Sequence, residues 1–233
     1  MKVAILQPNY IPWKGYFDII NMVDIFVIYD DVQYTVRDWR NRNKIKTKNG
    51  LIWLTIPTDG TQNMIIKDVK VVWDKKWNIK HWKNIVVNYS KAQYCKEYKD
   101  YFEELYLELK DQYLWEIDLK FIELIAKILE INTKIILSSD LKYDRNLTKT
   151  ERLIAILKEL NATIYLSGPS AKSYIDESLF KKENIELEWM DYSGYPEYPQ
   201  LYPPFVHEVS IIDLIFNTGP NASKYMKSFG DMK

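Results

Sequence analysis

Short apolar runs alternate with amphipathic segments along most of this chain, which is the pattern of an α/β fold. Val3 to Leu6 and Ile25 to Tyr29 are continuous apolar runs, as expected of strands that are buried on both faces. The segment between them holds two prolines and then a short amphipathic stretch at residues 14–23, which predicts strand, loop, helix and strand. The same pattern returns later in the chain with strands at Lys134 to Leu137, Thr163 to Leu166 and Ile185 to Met190. The sequence therefore predicts a mostly parallel, Rossmann-like sheet flanked by helices.

Two features interrupt this alternation. Asn43 to Thr47 and Leu51 to Pro57 flank an Asn-Gly pair, which predicts a β-hairpin because both residues tolerate a positive φ. Val69 to Trp73 is expected to add a strand. A helical insertion follows at about residues 75–130, with apolar residues at three-and-four spacing in Lys75 to Tyr89, Tyr98 to Leu109 and Trp115 to Leu129. We expect a single α/β domain over residues 1–233.

Helix boundaries are marked most clearly in the second half of the chain. Thr148 and Glu151 form a capping-box pattern ahead of a helix at Arg152 to Leu160, and Asn161 is expected to end it in the left-handed conformation. Ser210 and Asp213 repeat the capping-box spacing ahead of a helix at Ile211 to Asn217. A short helix is expected at Ala171 to Asp176. The Tyr/Pro-rich stretch from Tyr192 to Pro204 must be irregular, and it is expected to cover part of the protein.

Composition narrows the function classes. The 32 Lys and Arg balance the 32 Asp and Glu, so no overall field favours nucleic acid or an anionic membrane. The single cysteine, Cys95, cannot form an intramolecular disulfide. No secretion signal and no apolar run of membrane-spanning length are present, so the expected location is the cytoplasm. The 18 Tyr and 8 Trp are suited to contact sugar and base faces, or to fill a Tyr-rich core.

Polar residues follow the predicted strands at the edge where an open parallel sheet binds ligands. Four such strand ends are expected to meet there: Gln7 to Tyr10, Asp30 to Gln33, Ser138 to Asp140 and Ser167 to Ser170. The segment from Gln7 to Phe17 is the strongest candidate for a site wall, because its prolines fix φ and hold an amide, a phenol and an indole in one arc. The substrate-binding candidates in it are Gln7, Asn9, Tyr10, Trp13 and Tyr16. The alternative is a stiff connection whose aromatic residues fill the core.

The remaining candidates carry charge or could move a proton. Asp30, Asp31 and His81 are the catalytic candidates, and the two aspartates are expected to point to opposite sides of a strand. Cations and aromatic residues alternate between Arg37 and Lys46, which suits a phosphate or, as the alternative, RNA. The further binding candidates are Gln33, Trp39, Arg42, Asn43, Lys44, Ser167 and Gly168. No zinc motif, Walker loop, dinucleotide fingerprint or nucleophile elbow is present, so no metal site is expected.

The segment Gln7-Pro8-Asn9-Tyr10-Ile11-Pro12-Trp13-Lys14-Gly15-Tyr16-Phe17 resembles the opening of the WbqC-like family. The resemblance continues at Asp30 to Gln33, Trp39 to Lys46, His81-Trp82, Tyr165 to Pro169 and Asp213 to Gly219, so it spans nearly the whole chain. Leu6 stands where many members have histidine. A mechanism that rests on that histidine is therefore not expected here.

This resemblance implies a function in bacterial surface-polysaccharide (O-antigen, lipopolysaccharide) biosynthesis. It implies transfer of an aminoacyl group, with glycyl the first choice, to the amino group of a nucleotide-linked 4-amino-4,6-dideoxy sugar. The acyl source is left open between ATP with Mg²⁺, which would make an acyl adenylate, and aminoacyl-tRNA such as glycyl-tRNA. The alternatives are a non-catalytic sugar-nucleotide binding module and a nucleotidylyl- or glycosyltransferase of the same pathway. The oligomeric state is also left open.

Overall fold

A five-stranded parallel sheet lies at the centre of the computed structural model, which describes residues 1–230. In chain order the strands of the sheet are β1 (Lys2–Leu6), β2 (Ile25–Ile28), β5 (Lys134–Leu137), β6 (Ile164–Ser167) and β7 (Glu186–Trp189). Their spatial order is β5-β2-β1-β6-β7, and every neighbouring pair is parallel. The chain thus builds outward from β1 in one direction and then in the other. The predicted α/β fold with a Rossmann-like sheet is confirmed.

Helices cover both faces of this sheet because the strands are apolar on both sides. Ala4 and Phe26 face a core formed with α1 (Lys14–Asn21) and the helices of the insertion, whereas Val3 and Val27 face a second core. That second core is completed by α5 (Lys149–Glu159) and α6 (Glu177–Lys182). The alternation follows from the period of two in a strand.

The insertion consists of three helices, as predicted: α2 (Trp77–Tyr89), α3 (Cys95–Glu108) and α4 (Leu114–Ile128). Together with α7 (Ile211–Thr218), they pack against one face of the sheet and the hairpin. The hairpin pairs β3 (Arg42–Thr47) with β4 (Gly50–Thr55) in the predicted place. Only Gly50 of its turn has a positive φ, at 106°.

The predicted strand at Val69 to Trp73 is wrong. The segment makes single β-bridges, between Thr58 and Val71 and between Lys70 and Tyr113, and turns of 3₁₀ helix lie at Ile66–Asp68 and Trp73–Lys75. Val69 and Val71 are buried, and this burial explains the apolar alternation that resembled a strand.

The predicted short helix at Ala171 to Asp176 is also displaced. Pro169–Ser173 is a 3₁₀ turn, and the α-helix starts later because the Asp176 carboxylate accepts a hydrogen bond from the Ser178 backbone N–H at 3.0 Å. The Thr148–Glu151 capping box is confirmed, and Asn161 has the expected positive φ of 55°.

The capping box predicted for Ser210 and Asp213 is only half correct. Ser210 caps α7 by accepting from the Ile212 N–H at 3.3 Å. The Asp213 carboxylate instead accepts from the hydroxyls of Tyr89 and Tyr198, each at 2.7 Å. The aspartate is fully buried, and this network ties α7 to α2 and to the Tyr/Pro-rich segment.

Candidate functional site

A cleft of about 870 Å³ opens at the carboxyl ends of β1 and β6. These are the two strands between which the sheet order reverses, and such a switch point is where open α/β sheets bind ligands. The strand ends contribute Gln7 on one side and Ser167 and Gly168 on the other. The polar and aromatic residues that line the cleft are Gln7, Asn9, Trp13, Tyr16, Tyr29, Gln33, Tyr34, Thr35, Arg40, Gln62, Lys149, Arg152, Tyr165, Ser167, Ser170, Tyr174 and Tyr192.

The loop after β1 forms one wall, and its backbone is held in an uncommon conformation. Ile11 has a φ of 37°, which is costly for a β-branched residue and persists only where the surroundings fix it. The Asn43 amide supplies that constraint, because its Nδ2 donates to the carbonyls of Tyr10 at 3.1 Å and Ile11 at 3.0 Å. Asn43, which the sequence predicted to bind substrate, is buried, and its side chain positions the loop.

Gln7 and Asn9 point their amide oxygens at Arg40. The guanidinium donates to Gln7 Oε1 and, at 3.3 Å, to Asn9 Oδ1. It also pairs with the Asp38 carboxylate at 3.3 Å, whereas its Nε has no partner among residues 1–230. Burial lowers the pKa of Arg40, and Asp38 opposes that change. The wall therefore presents a largely buried cation that the loop amides orient.

Asp118 of α4 lies buried in the neighbourhood of Arg40. It is 0% exposed, and neither carboxylate oxygen has a partner in the described part of the chain. Burial raises the pKa of Asp118 well above its usual value, although the charge of Arg40 works in the opposite direction. Burial thus favours the neutral form of this acid, so that Asp38 is the carboxylate that pairs with Arg40 in the described part of the chain.

The opposite wall comes from the first turn of α5. Lys149 and Arg152 both line the cleft, and their three-residue spacing puts them on the same side of the helix. The Arg152 guanidinium donates to the backbone carbonyl of Asp31 at 2.8 Å and lies 5.6 Å from the centre of the Tyr29 ring. Its Nε has no partner within residues 1–230. Two arginines therefore line one cleft, and each also pairs with an aspartate, Arg40 with Asp38 at 3.3 Å and Arg152 with Asp31 at 3.6 Å.

Aromatic side chains complete the walls. The Trp13 ring lies edge-on to Tyr192, with 4.9 Å between the ring centres. Gly15 makes this position possible, because a Cβ at residue 15 would lie 2.4 Å from the indole. The Tyr16 hydroxyl donates to the Gln7 carbonyl at 3.0 Å. Tyr192 belongs to the Tyr/Pro-rich segment, which therefore covers part of this cleft.

Asp30 and Asp31 do not line the main cleft. Both accept from the Ser138 hydroxyl, Asp30 Oδ1 at 2.9 Å and Asp31 Oδ1 at 2.6 Å. The expectation that they point apart is wrong, because β2 ends at Ile28 and strand alternation no longer applies two residues later. Asp31 lines a smaller neighbouring pocket of about 410 Å³ with Arg145 and Arg152.

Asp31 is held as a carboxylate by several donors. Tyr143 donates to both of its oxygens, at 2.7 and 2.6 Å, and Arg145 Nε donates at 2.8 Å. Burial alone would raise the pKa of Asp31, but the hydrogen bonds from Ser138 and Tyr143 and the charge of Arg152 outweigh it, so the pKa is lowered. A carboxylate stabilised in this way is a poor proton acceptor.

His81 lies in the core, away from the cleft. Its Nδ1 and the Tyr10 hydroxyl are 2.9 Å apart, and the same hydroxyl is 2.5 Å from that of Tyr106. Burial lowers the pKa of His81 to about 4, so the ring is neutral near pH 7. Tyr10 is fully buried as well and acts as a core residue rather than as a wall of the cleft.

The predicted site residues thus separate into groups. Gln7, Asn9, Trp13, Tyr16, Gln33, Ser167 and Gly168 meet at the cleft. Trp39, Arg42 and Lys44 form a separate cluster at the hairpin. Sequence reasoning missed Lys149 and Arg152 as site residues, and it started their helix at Arg152, whereas α5 begins at Lys149, directly after the Thr148 cap. It placed Arg40 only within a basic cluster. Tyr29 and Tyr174 had no distinguishing signal among 18 tyrosines, whereas Tyr192 begins the Tyr/Pro-rich stretch that was expected to cover part of the protein.

Two searches of the described residues bear on function class. Within residues 1–230, none of the helices is both long enough and apolar enough to cross a membrane. The same residues contain no group of three or more His, Cys, Asp or Glu side chains arranged to hold a metal ion.

Comparison with known proteins agrees with the resemblance noted in the sequence. The model of the WbqC-like protein family matches residues 7–225. The uncharacterized protein Rv1507c of Mycobacterium tuberculosis (strain ATCC 25618 / H37Rv) is 44% identical over 228 residues, which cover 97% of each chain. A search of solved structures found no match. The family match and this relative both span almost the whole chain, and the chain therefore belongs to the WbqC-like family.

Proposed function

We propose that this protein transfers an aminoacyl group, glycyl in the first instance, to the amino group of a nucleotide-linked 4-amino-4,6-dideoxy sugar. The proposal takes the reaction from what the family resemblance implies for surface-polysaccharide biosynthesis. The observation that supports it is the cleft at the switch point, which is lined by the cationic side chains of Arg40, Lys149 and Arg152.

A nucleotide sugar matches this lining piece by piece. Arg40, Arg152 and Lys149 would bind the diphosphate, because arginine pairs with phosphate oxygens through two parallel N–H bonds. Trp13 and Tyr192 offer apolar faces for the base or the sugar ring. The amides of Gln7 and Asn9 would accept from sugar hydroxyls or from the amine once the ligand displaces part of their contact with Arg40.

The transfer forms one C–N bond and breaks one C–O bond. The sugar amine attacks the carbonyl carbon of an activated acyl group, and the leaving group is AMP from an adenylate or a ribose hydroxyl from an aminoacyl ester. The amine loses a proton, which the leaving oxygen accepts in the second case and solvent or phosphate accepts in the first. The residues that line the cleft within the described chain include no carboxylate and no imidazole. The protein would then act mainly by holding the two reactants in position.

Mass spectrometry tests this proposal directly. The protein is incubated with dTDP-4-amino-4,6-dideoxyglucose and glycine, together with ATP and Mg²⁺, or with glycyl-tRNA in place of glycine and ATP. We expect a glycyl adduct on the sugar amine with one of these donors. Absence of any aminoacyl adduct with both donors, and with the other amino acids, would overturn the proposal.

A pair of variants connects the reaction to the cleft. Lys149→Gln removes a cleft cation that forms no ion pair within residues 1–230, and it should weaken dTDP-sugar binding by at least about tenfold, since a hydrogen bond to a charged group contributes roughly 1.5–3 kcal/mol. Lys142→Gln is the matched control, because Lys142 is exposed and does not line the cleft. Equal affinity of the two variants would place the sugar nucleotide elsewhere.

A second candidate is a sugar-nucleotide binding module that has no catalytic activity of its own. It is favoured by the lining of the cleft, which has cations, amides and aromatic rings but neither carboxylate nor imidazole within the described residues. Calorimetric binding of the dTDP-sugar with no turnover, under both donor conditions, would support this candidate over the transferase.

A further inference from the structure

The outward face of the hairpin carries an arrangement that the cleft does not use. Lys44 of β3 pairs with Trp53 of β4 in the ladder, and Arg42 lies two residues away on the same face. The opposite face of the hairpin, with Ile45 and Leu54, is buried in the core. The tryptophan at position 53 therefore lies on the face that is turned away from this core, and Arg42 and Lys44 beside it are half-buried.

Trp39, which precedes β3, joins this face. The rings of Trp39 and Trp53 have centres 5.4 Å apart and are inclined by 40°. The Arg42 guanidinium lies 4.2 Å from the centre of the Trp53 ring, and Lys44 Nζ lies 5.1 Å from that centre and 5.7 Å from that of Trp39. We call Trp39, Arg42, Lys44 and Trp53 the hairpin patch.

The two tryptophans of the hairpin patch are 39% and 43% exposed. Tryptophan is usually highly buried, so two adjacent exposed indoles mark a surface that a partner covers. The partner must offer flat faces to the indoles and negative charge to the two cations. Single-stranded nucleic acid does both, because its unpaired bases stack on aromatic side chains while its phosphates meet Arg and Lys. A neutral glycan would not need the cations, and a duplex would hide its base faces.

We propose that the hairpin patch binds single-stranded RNA. The only acid that pairs with its cations among residues 1–230 is Glu208, which lies 3.7 Å from Lys44 Nζ and has a side chain that is 79% exposed. Because Glu208 is open to solvent and the contact is long, the pair contributes little to stability, so a phosphate group displaces Glu208 at small cost.

The hairpin patch borders the cleft through the chain itself. Trp39 is the neighbour of Arg40, and the Trp39 carbonyl accepts from the Tyr10 N–H at 3.0 Å in the loop that forms the cleft wall. An RNA strand on the indoles can therefore place its end at the cleft. If the proposed function holds, on which this step alone rests, that end is the aminoacylated 3′ end of a tRNA. The sugar amine then displaces the ribose hydroxyl from the ester, and the hydroxyl oxygen takes the proton.

Fluorescence anisotropy of a labelled single-stranded RNA of about eight nucleotides, within the ~4–16 typical of such sites, tests the binding step. The protein is used whole and without a sugar nucleotide, so the result does not depend on transferase activity. We expect saturable binding at low salt that weakens with a log–log slope of about −1.4, the value for two phosphate contacts on a single strand. No saturable binding at low salt would overturn the proposal.

Variants locate the RNA. The double variant Trp39→Ala/Trp53→Ala should weaken binding by at least about tenfold, because each stacked base contributes roughly 1–3 kcal/mol. Tyr101→Ala is the matched control, since Tyr101 is an exposed aromatic residue on α3, at 53%, away from the hairpin. If both variants bind like the unaltered protein, the RNA does not use the hairpin patch and the proposal fails.

Competition separates this surface from the cleft. An excess of dTDP should leave RNA binding unchanged within about twofold. Loss of RNA binding under dTDP would place the RNA in the cleft and overturn the proposal. The proposal would also be overturned if the unaltered protein bound a neutral oligosaccharide more tightly than RNA. RNA binding at the hairpin patch without any aminoacyl transfer, in contrast, would support this proposal and count against the proposed function alone.

Discussion

Asp31→Asn should cost this protein much of its stability, because Asp31 is the acceptor at the centre of a buried network. The Asp31 side chain is 2% exposed and accepts from Ser138, Tyr143 and Arg145, while Arg152 lies 3.6 Å from Oδ2. An amide in its place offers one acceptor oxygen and turns an NH₂ group toward groups that are themselves donors. The substitution therefore removes the charge and leaves buried donors unpaired.

The expected loss in the free energy of unfolding follows from how deeply each partner of Asp31 is buried. The Arg145 side chain is 45% exposed, so its pair with Asp31 is screened by solvent and contributes little. The Arg152 side chain is 15% exposed, and breaking a buried pair by removing one partner costs roughly 3–5 kcal/mol. For a chain of this length, such a loss lowers the melting temperature by roughly 6–20 °C.

Urea unfolding at pH 7 measures this loss, with Asp140→Asn as the control. Asp140 lies two residues from Ser138 in the same 3₁₀ turn, but it is exposed, so its replacement should change stability by at most about 0.5 kcal/mol. A loss below about 1 kcal/mol for Asp31→Asn would refute the reasoning. Such a small loss would instead support the prediction from the sequence that Asp31 is a catalytic residue that contributes little to stability.

The pH dependence of the free energy of unfolding, compared between the unaltered protein and Asp31→Asn, gives a second check. The folded pKa of Asp31 is depressed, so its contribution is fully present above the unfolded value of about 3.9 and disappears as the pH falls through the folded value. The difference between the unaltered protein and Asp31→Asn should therefore narrow below about pH 4. A difference that stays constant down to pH 2 would show that the charge of Asp31 is not responsible.

Three further predictions concern the loop and the core. Gly15→Ala places a Cβ 2.4 Å from the Trp13 indole, so the ring should shift. The affinity for the dTDP-sugar, measured by calorimetry, should then fall by at least about threefold. Unchanged affinity would mean that Trp13 does not contact the ligand. Asn43→Ala removes the two N–H donors of the side-chain amide that hold the strained backbone at Ile11. Because two buried carbonyls lose their partner, the free energy of unfolding, measured in urea, should fall by about 1–3 kcal/mol. An unchanged free energy of unfolding would contradict the role of Asn43 in holding the loop. His81 has a folded pKa of about 4, below its unfolded value, so protonation of the unfolded chain should remove up to about 3 kcal/mol of stability between pH 7 and pH 4; His81→Gln should flatten that part of the urea-measured profile.

The sequence alone determined the type and place of most elements. Val3 to Leu6 and Ile25 to Tyr29 predicted a parallel sheet correctly because strands buried on both faces must be apolar at every position. The capping box at Thr148 and the Asn-Gly turn were found because their hydrogen bonds and φ angles involve residues next to each other in the chain. The strand predicted at Val69 to Trp73 was wrong because alternate apolar residues are also buried in this irregular segment, which gives the same apolar and polar alternation as a strand.

The candidate site was predictable only where chain position and chemistry coincide. Gln7, Asn9 and Trp13 follow β1 directly. In a parallel sheet the carboxyl ends of the strands lie at one edge, which brings these residues to Ser167 at the end of β6. The residue motif around Gln7 also carried the family resemblance, which the whole-chain match confirms.

What only the tertiary structure decided is which polar groups face the cleft and which stabilise the fold. Asp31, His81 and Asn43 look like site residues in the sequence, yet Asp31 is bound by donors from the segment after β5, His81 is buried against Tyr10, and Asn43 holds the loop backbone. Arg40 and Arg152 are over a hundred residues apart, as the chain numbering shows, and line one cleft because β1 lies between β2 and β6. Burial and partners are set by long-range packing, which no local pattern encodes, and they determine whether a polar residue binds a ligand or the protein itself.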